Sequence, residues 1–175
     1  LVTEKELLRT YPTNKINQQR NAIKYFEAIK LRKEQKISPK KISKIINMPE
    51  SAIYHWIKGK GKPRSVKGLN ELKNMGLSPL KISNSKTFSH LMATLGLRYS
   101  DGCIYEQKRN NSITTYICFG KKEDALKFAH DCKEAWNINL KAHYRTRAHY
   151  VYLPASLGRL MIQIQSPTGN KSHQI

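Results

Sequence analysis

Acidic residues are scarce in this sequence. Twelve Asp and Glu stand against 32 Lys and Arg in 175 residues, a formal net charge of +20. Such an imbalance opposes folding by self-repulsion, so it points to a polyanionic partner. Cysteine is also scarce: Cys103, Cys118 and Cys132 form no CxxC pair and have no metal-ligand spacing. That removes a zinc knuckle or a disulfide framework and leaves small apolar residues in a reducing compartment. No apolar run is long enough to span a bilayer, and no signal-peptide pattern opens the chain, so the expectation is a cytoplasmic protein. A membrane-surface protein would concentrate its charge on one amphipathic helix. Here the basic residues are spread through every kind of segment, which fits a nucleic acid better. With 39% hydrophobic and 25% charged residues, the composition is that of a folding chain, long enough for one large domain or two small ones.

The first half reads as helical. Thr3-x-x-Glu6 is a capping box opening a short helix through Leu7 and Leu8, and Tyr11-Pro12-Thr13-Asn14 breaks it. A long helix over residues 18–35 follows, with Ala22, Ile23, Phe26, Ile29 and Leu31 as its apolar stripe. Ser38-Pro39 starts a third helix, which carries Ile42, Ile45 and Ile46 inward and stops at Asn47, a residue that tolerates the left-handed conformation. Pro49 opens a fourth, ESAIYHWIKG, closed by Gly59. Two short amphipathic helices around a tight turn, with Ile53, Trp56 and Ile57 inward, make a helix-turn-helix. The stretch ISKIINMPESAIYHWIKG resembles that of many repressors and recombinases. The resemblance implies a second helix in the major groove, presenting Ser51, Tyr54, His55 and Lys58. Residues 63–86 are rich in Gly, Pro, Ser and Lys; they read as a basic linker with one short helix around Leu69–Met75.

The second half alternates differently. A helix over 89–100, strands over 103–108 and 113–119 joined at Asn110-Asn111, a helix over 123–136, a hairpin of 140–145 with 150–153, and a helix over 156–164 give the order αββαββα. The expected fold class is α+β, with an all-α helix-turn-helix domain over 1–62 ahead of a mixed domain over 87–175. Strand alternation puts Lys141, His143 and Arg145 on one face, with Ala142 and Tyr144 on the other; Tyr105 and Gln107 likewise share a face against Ile104 and Glu106. Cationic and hydrogen-bonding side chains aligned in this way suit base edges and phosphates.

Asp101-Gly102 stands where the helical pattern ends, although a carboxylate there faces the negative end of the helix dipole. Thr94-Leu95-Gly96-Leu97-Arg98-Tyr99-Ser100-Asp101-Gly102 resembles the motif of the LAGLIDADG homing endonucleases: Gly96, Leu97, Asp101 and Gly102 match, and Tyr99 replaces the first acid. The resemblance covers about half the chain. It implies a half-saddle whose motif helix pairs with a second one, here through Ala93, Gly96, Leu97 and Ser100, and Arg98 stands near that interface. The partner helix would come from a homodimer or from a second repeat beyond Ile175. The resemblance also implies that Asp101, with Gly102, holds magnesium or another divalent cation. Lys121 falls on the family's Gln position and Lys122 on its catalytic Lys position, which implies stabilisation of phosphate charge or orientation of the attacking water. The tail Ser166–Ser172 looks like the segment leaving the last helix of archaeal members and inteins, which implies a prokaryotic, archaeal setting in an intein, an intron or alone. Because the chain starts with Leu1 and ends soon after this tail, a fragment is expected.

These readings leave three functions open. One is a site-specific double-stranded DNA endonuclease. The second is a non-cleaving transcriptional regulator on a degenerate LAGLIDADG fold, which the replacement at Tyr99 and the charge at Arg98 favour. The third is an RNA-binding protein that stacks unpaired bases on Tyr105, Tyr144 and Tyr150.

Overall fold

The computed structural model describes residues 3–9, 18–79, 85–107 and 112–164. Among these the elements run α1 (Glu4–Arg9), α2 (Gln18–Gln35), α3 (Pro39–Ile46), α4 (Glu50–Ile57), α5 (Arg64–Asn74), α6 (Ser85–Asp101), β1 (Gly102–Gln107), β2 (Ser112–Phe119), α7 (Lys122–Trp136), β3 (Ala142–Arg145), β4 (Ala148–Leu153) and α8 (Ala155–Gln163). The class is α+β, with the helices first and a four-stranded antiparallel sheet after them. The expected turns at Tyr11–Asn14 and Asn110-Asn111 and the tail Ser166–Ser172 lie outside the described residues.

Contacts divide the chain into two compact units, Tyr11–Gly68 and a second made of Leu1–Thr10 with Leu69–Ile175. In the first, α2, α3 and α4 pack on one another. Ile42 and Ile46 of α3 and Ile53 and Trp56 of α4 are buried, with Tyr25 of α2 set edge-on to Trp56 at 5.6 Å between ring centroids. The buried line of α2 is Ala22, Tyr25 and Ala28, while Ile23 and Phe26 remain 63% and 43% exposed. This corrects the stripe read from hydropathy. Ile23 and Phe26 each lie one residue, about 100°, around the helix from the residue that packs. Two alanines let the neighbouring helices approach, and the tyrosine ring fills the remaining space.

The second unit is built on a sheet of strand order β1-β2-β4-β3. Its covered face carries Ile104, Ile113, Ile117, Val151 and Leu153, over which α6, α7 and α8 lie. Gly158 of α8 has no room for a side chain: a Cβ there would strike Thr115 Oγ1 and come within 2.9 Å of Ile113 Cγ2. The capping box forms as expected, with Thr3 N–H donating to the Glu6 carboxylate at 2.7 Å and Glu6 N–H to Thr3 Oγ1 at 3.3 Å. The segment read as a linker is largely structural. Its helix extends over Arg64–Asn74, and Leu69, Leu72, Met75 and Leu77 join the same core as Leu91, Trp136 and Leu157. Lys73 pairs with Glu4 of α1 at 2.7 Å, and Ser156 of α8 donates to the Glu71 carboxylate. The Lys and Gly content hid a helix whose apolar residues recur at three-residue steps.

Candidate nucleic-acid interface

The turn between α3 and α4 is fixed by Asn47 in the left-handed region (φ 51°), as its residue type predicts. The Met48 N–H donates to Ser43 O at 3.1 Å, Ser43 Oγ donates back to Met48 O at 2.6 Å, and Lys24 Nζ reaches Asn47 O at 3.0 Å. With Ile53 and Trp56 held inside, α4 turns Ser51, Tyr54, His55 and Lys58 to solvent, so all four expected contact residues are exposed. Lys58 Nζ sits 5.8 Å from the centre of the Tyr54 ring, and the Tyr54 and His55 rings are 6.2 Å apart. The unit Tyr11–Gly68 holds 15 Lys and Arg against 3 acids, a net of +12 and so the greater part of the chain's excess.

On α6, Leu91, Thr94, Leu95 and Arg98 are buried, while Ala93, Gly96 and Ser100 are exposed along one stripe flanked by Met92 and Tyr99 at 48% and 52%. Nothing lies within 4 Å of where a Gly96 Cβ would stand. Two residues depart from the sequence reading. Leu97 is half-buried against the core and not fully on the exposed stripe. Arg98 is completely buried, so it points away from the stripe it was expected to border. Burial pushes its guanidinium pKa down, and its Cζ lies 5.7 Å from the Tyr99 ring centre.

Asp101 is the last residue of α6 and is exposed. Gly102 begins β1 and is buried; a Cβ on it would come within 2.7 Å of both Arg98 Cα and Ile117 Cδ1. Glycine is therefore required for the helix to turn directly into the sheet. Gly102 pairs with Ile117, so Asp101 stands one step further, opposite Cys118 near the end of β2. Lys121 and Lys122 follow β2 at that same end and are exposed, Lys121 in extended conformation (φ −112°, ψ 144°) ahead of α7. The chain thus brings Asp101, Gly102, Lys121 and Lys122 to one end of the sheet. An exposed carboxylate suits magnesium, which takes one or two carboxylates and completes its shell with water and phosphate oxygens. Among the described residues no three His, Cys, Asp or Glu side chains gather as a metal site.

The face of the sheet away from the helices carries Tyr105, Tyr116, Tyr150, Tyr152, His143 and Arg145. Lys141 lies just before β3 and is exposed; the side chain of Gln107 lies outside the described residues. Tyr116 meets Tyr150 and Tyr152 edge-on at 5.3 and 5.8 Å, and His143 meets Tyr152 at 5.7 Å. Burial pushes the Tyr116 phenol pKa up, reinforced by the Cys103 thiol; burial and then the Cys118 thiol push Tyr150 up, so both phenols stay neutral. The alternation read for His143 and Arg145 against Ala142 and Tyr144 holds: Tyr144 lies on the other face, 69% exposed and 5.0 Å from the His149 ring. Sequence reading missed Tyr116 and Tyr152. Alternation places them on the open face once the β2–β4 pairing is known.

Of the three cysteines, only Cys132 is fully buried; burial pushes its thiol up to about 12. His90 of α6 packs beside it, with Nε2 at 3.4 Å from the sulfur and its ring 4.5 Å from Trp136. A cleft of about 450 Å³ lined by Glu71, Asn74 and Trp136 presents a carboxylate, so it is unsuited to phosphate. No helix among the described residues is long and apolar enough to cross a membrane. Comparisons with models of protein families, with curated proteins and with solved structures return no match.

Proposed function

We propose that this chain is a site-specific, divalent-metal-dependent DNA endonuclease of the LAGLIDADG homing type, carrying a helix-turn-helix that adds affinity and specificity. The observation that carries the reading is α6: a stripe of small residues, Ala93, Gly96 and Ser100, lies open to solvent and ends in the exposed carboxylate of Asp101. Two such stripes packed together, from a homodimer or a second repeat, bring two Asp101-type carboxylates side by side over one duplex. Asp101, with the Gly102 main chain beside it, would hold the magnesium ion. Magnesium, when bound, activates water and steadies the leaving oxygen. Lys122 stabilises charge on the attacked phosphate or orients the water, and Lys121 assists beside it. Tyr105, Gln107, Lys141, His143 and Arg145 contact the duplex from the sheet, and Ser51, Tyr54, His55 and Lys58 from α4. An archaeal, cytoplasmic setting belongs to this reading and rests on the same resemblance.

A second reading, a non-cleaving regulator, is favoured by one observation: Tyr99, where the family has its first acid, is exposed beside Asp101. The burial of Arg98 removes the other argument for it, because that charge does not face the proposed interface.

The test is cleavage of a library of random duplexes with magnesium, comparing the chain with Asp101→Asn. Cuts at one defined sequence that vanish in the variant are expected. Tight, selective binding with no cut from either protein would transfer the conclusion to the regulator.

A further inference from the structure

Between α4 and α5 the chain reads Lys58-Gly59-Lys60-Gly61-Lys62-Pro63-Arg64, a cation at every second position with only Gly or Pro between. All four cations are exposed, and no acid occurs between Glu50 and Glu71. Among the described residues no carboxylate pairs with any of the four. The stretch is nevertheless held at both ends. The Lys58 N–H donates to Tyr54 O at 3.0 Å, and the Lys60 and Gly61 N–H groups both donate to His55 O, at 3.0 and 3.3 Å. Gly59 takes φ +70°, which lets the chain turn off the end of α4. At the far end Ser65 and Val66 are buried, and the Lys67 N–H donates to Pro63 O at 3.0 Å. An arm anchored in this way loses less freedom on binding than a free tail.

Charge alone would let the arm follow phosphates of any sequence. Its spacing is more selective. The minor groove is about 6 Å wide, so a chain enters it only where its side chains are small. Gly59, Gly61 and Pro63 keep the arm slim, and the cations between them match the enhanced negative potential of a narrow A·T groove. A recognition helix sets its N-terminal residues on base edges. The C-terminal end of α4, with the arm tied to His55, then stands at the flank of the major groove, beside the phosphates that border the minor groove. We infer that the arm over residues 58–64 enters the minor groove next to the pairs read by α4 and selects A·T pairs there through Lys60 and Lys62. This rests on the DNA reading above and adds a second specificity-determining contact to it.

The test is fluorescence anisotropy with labelled duplexes built from A·T, I·C or G·C pairs in the same purine–pyrimidine order. An I·C pair lacks the 2-amino group of guanine, so its minor groove matches that of A·T while its major groove resembles that of G·C. The chain is expected to bind the A·T and I·C duplexes alike and the G·C duplex about fivefold more weakly or worse. Lys60→Ala/Lys62→Ala is expected to bind all three alike. Gly61→Leu keeps every charge, and its Cβ meets only His55 Cβ, at 3.7 Å, so it is expected to fold and to lose the same preference. Circular dichroism checks the folding of both variants. Preference for A·T without I·C would place the reading in the major groove. A uniform loss in the lysine variant with Gly61→Leu unchanged would make the arm a phosphate contact. Either result overturns the inference, as does a preference that survives in both variants. Netropsin, which fills the minor groove of A·T pairs, supplies a readout on the unaltered chain: it is expected to weaken binding to the A·T duplex, and unchanged binding at saturating netropsin would refute the arm. The two readings fail separately. Duplex binding without minor-groove preference removes the arm alone, arm-dependent preference without site-specific cutting removes the nuclease alone, and no binding to any duplex removes both.

Discussion

Gly96→Ala separates what the chain needs to fold from what it needs to act. Gly96 lies inside α6, is exposed, and has no atom within 4 Å of the Cβ that alanine would add. The substitution therefore removes a glycine from a helix interior without any clash. Alanine is favoured over glycine there by about 1 kcal/mol, because it loses less backbone entropy on folding. The melting temperature of the chain should rise by about 2–4 °C, as such a change does for a chain of this size. Against a second helix the sign reverses, since the added methyl separates two backbones that meet through Ala93, Gly96 and Ser100. Sedimentation or cross-linking should then show weaker pairing, and DNA cleavage should fall at least tenfold. Calorimetry and the cleavage assay on the same preparation decide it. A lower melting temperature would mean that the stripe is already packed within the chain. A higher one with cutting intact would show that α6 does not pair through this stripe.

Gly102→Ala and Gly158→Ala should behave oppositely and destabilise, each by about 1–3 kcal/mol, because their added Cβ atoms meet Arg98 Cα and Ile117 in one case and Thr115 and Ile113 in the other; urea unfolding reads this as a lower midpoint. Burial lowers the His90 pKa below the usual 6.5, with Asp131 partly opposing it. The folded state thus prefers the neutral ring, and the stabilisation present above about pH 6.5 is lost as pH falls towards the lower folded-state value. The melting temperature should decline on acidification through that window, and His90→Gln should flatten the decline. Replacing His55 with Ala should change the preferred sequence of duplexes selected from a random pool; a uniform loss across all sequences would remove α4 as a reading helix. Duplex affinity should fall steeply between 50 and 200 mM salt, by about 10³-fold or more if six or more phosphates are contacted, as a filter-binding titration would show.

Local chemistry made much of the fold legible. Thr3 and Glu6 cap α1, Asn47 takes the left-handed turn, and alternation in β3 puts His143 and Arg145 on one face because the pleat has a period of two. The order αββαββα followed from changes of period alone. Other features depend on which surfaces meet. Hydropathy ranks Ile23 and Phe26 above Ala22 and Ala28, but close helix packing selects the alanines and Tyr25. The lysines of 63–86 masked the core residues Leu69, Leu72 and Met75, since a helix buries one stripe whatever its other sides carry.

The sequence by itself determined that the chain is strongly basic, folds as helices followed by a β-rich half, and ends one helix in Asp101-Gly102. Only the tertiary structure decided that Arg98 turns inward while Ala93, Gly96 and Ser100 turn out, because the direction of a helix's faces is set by the sheet it lies on. Strand pairing likewise brought Tyr116, Tyr150 and Tyr152 together, and it carried Asp101 to the end of β2 where Lys121 and Lys122 follow. The order β1-β2-β4-β3 joins residues about 35 positions apart, a register that no local pattern encodes.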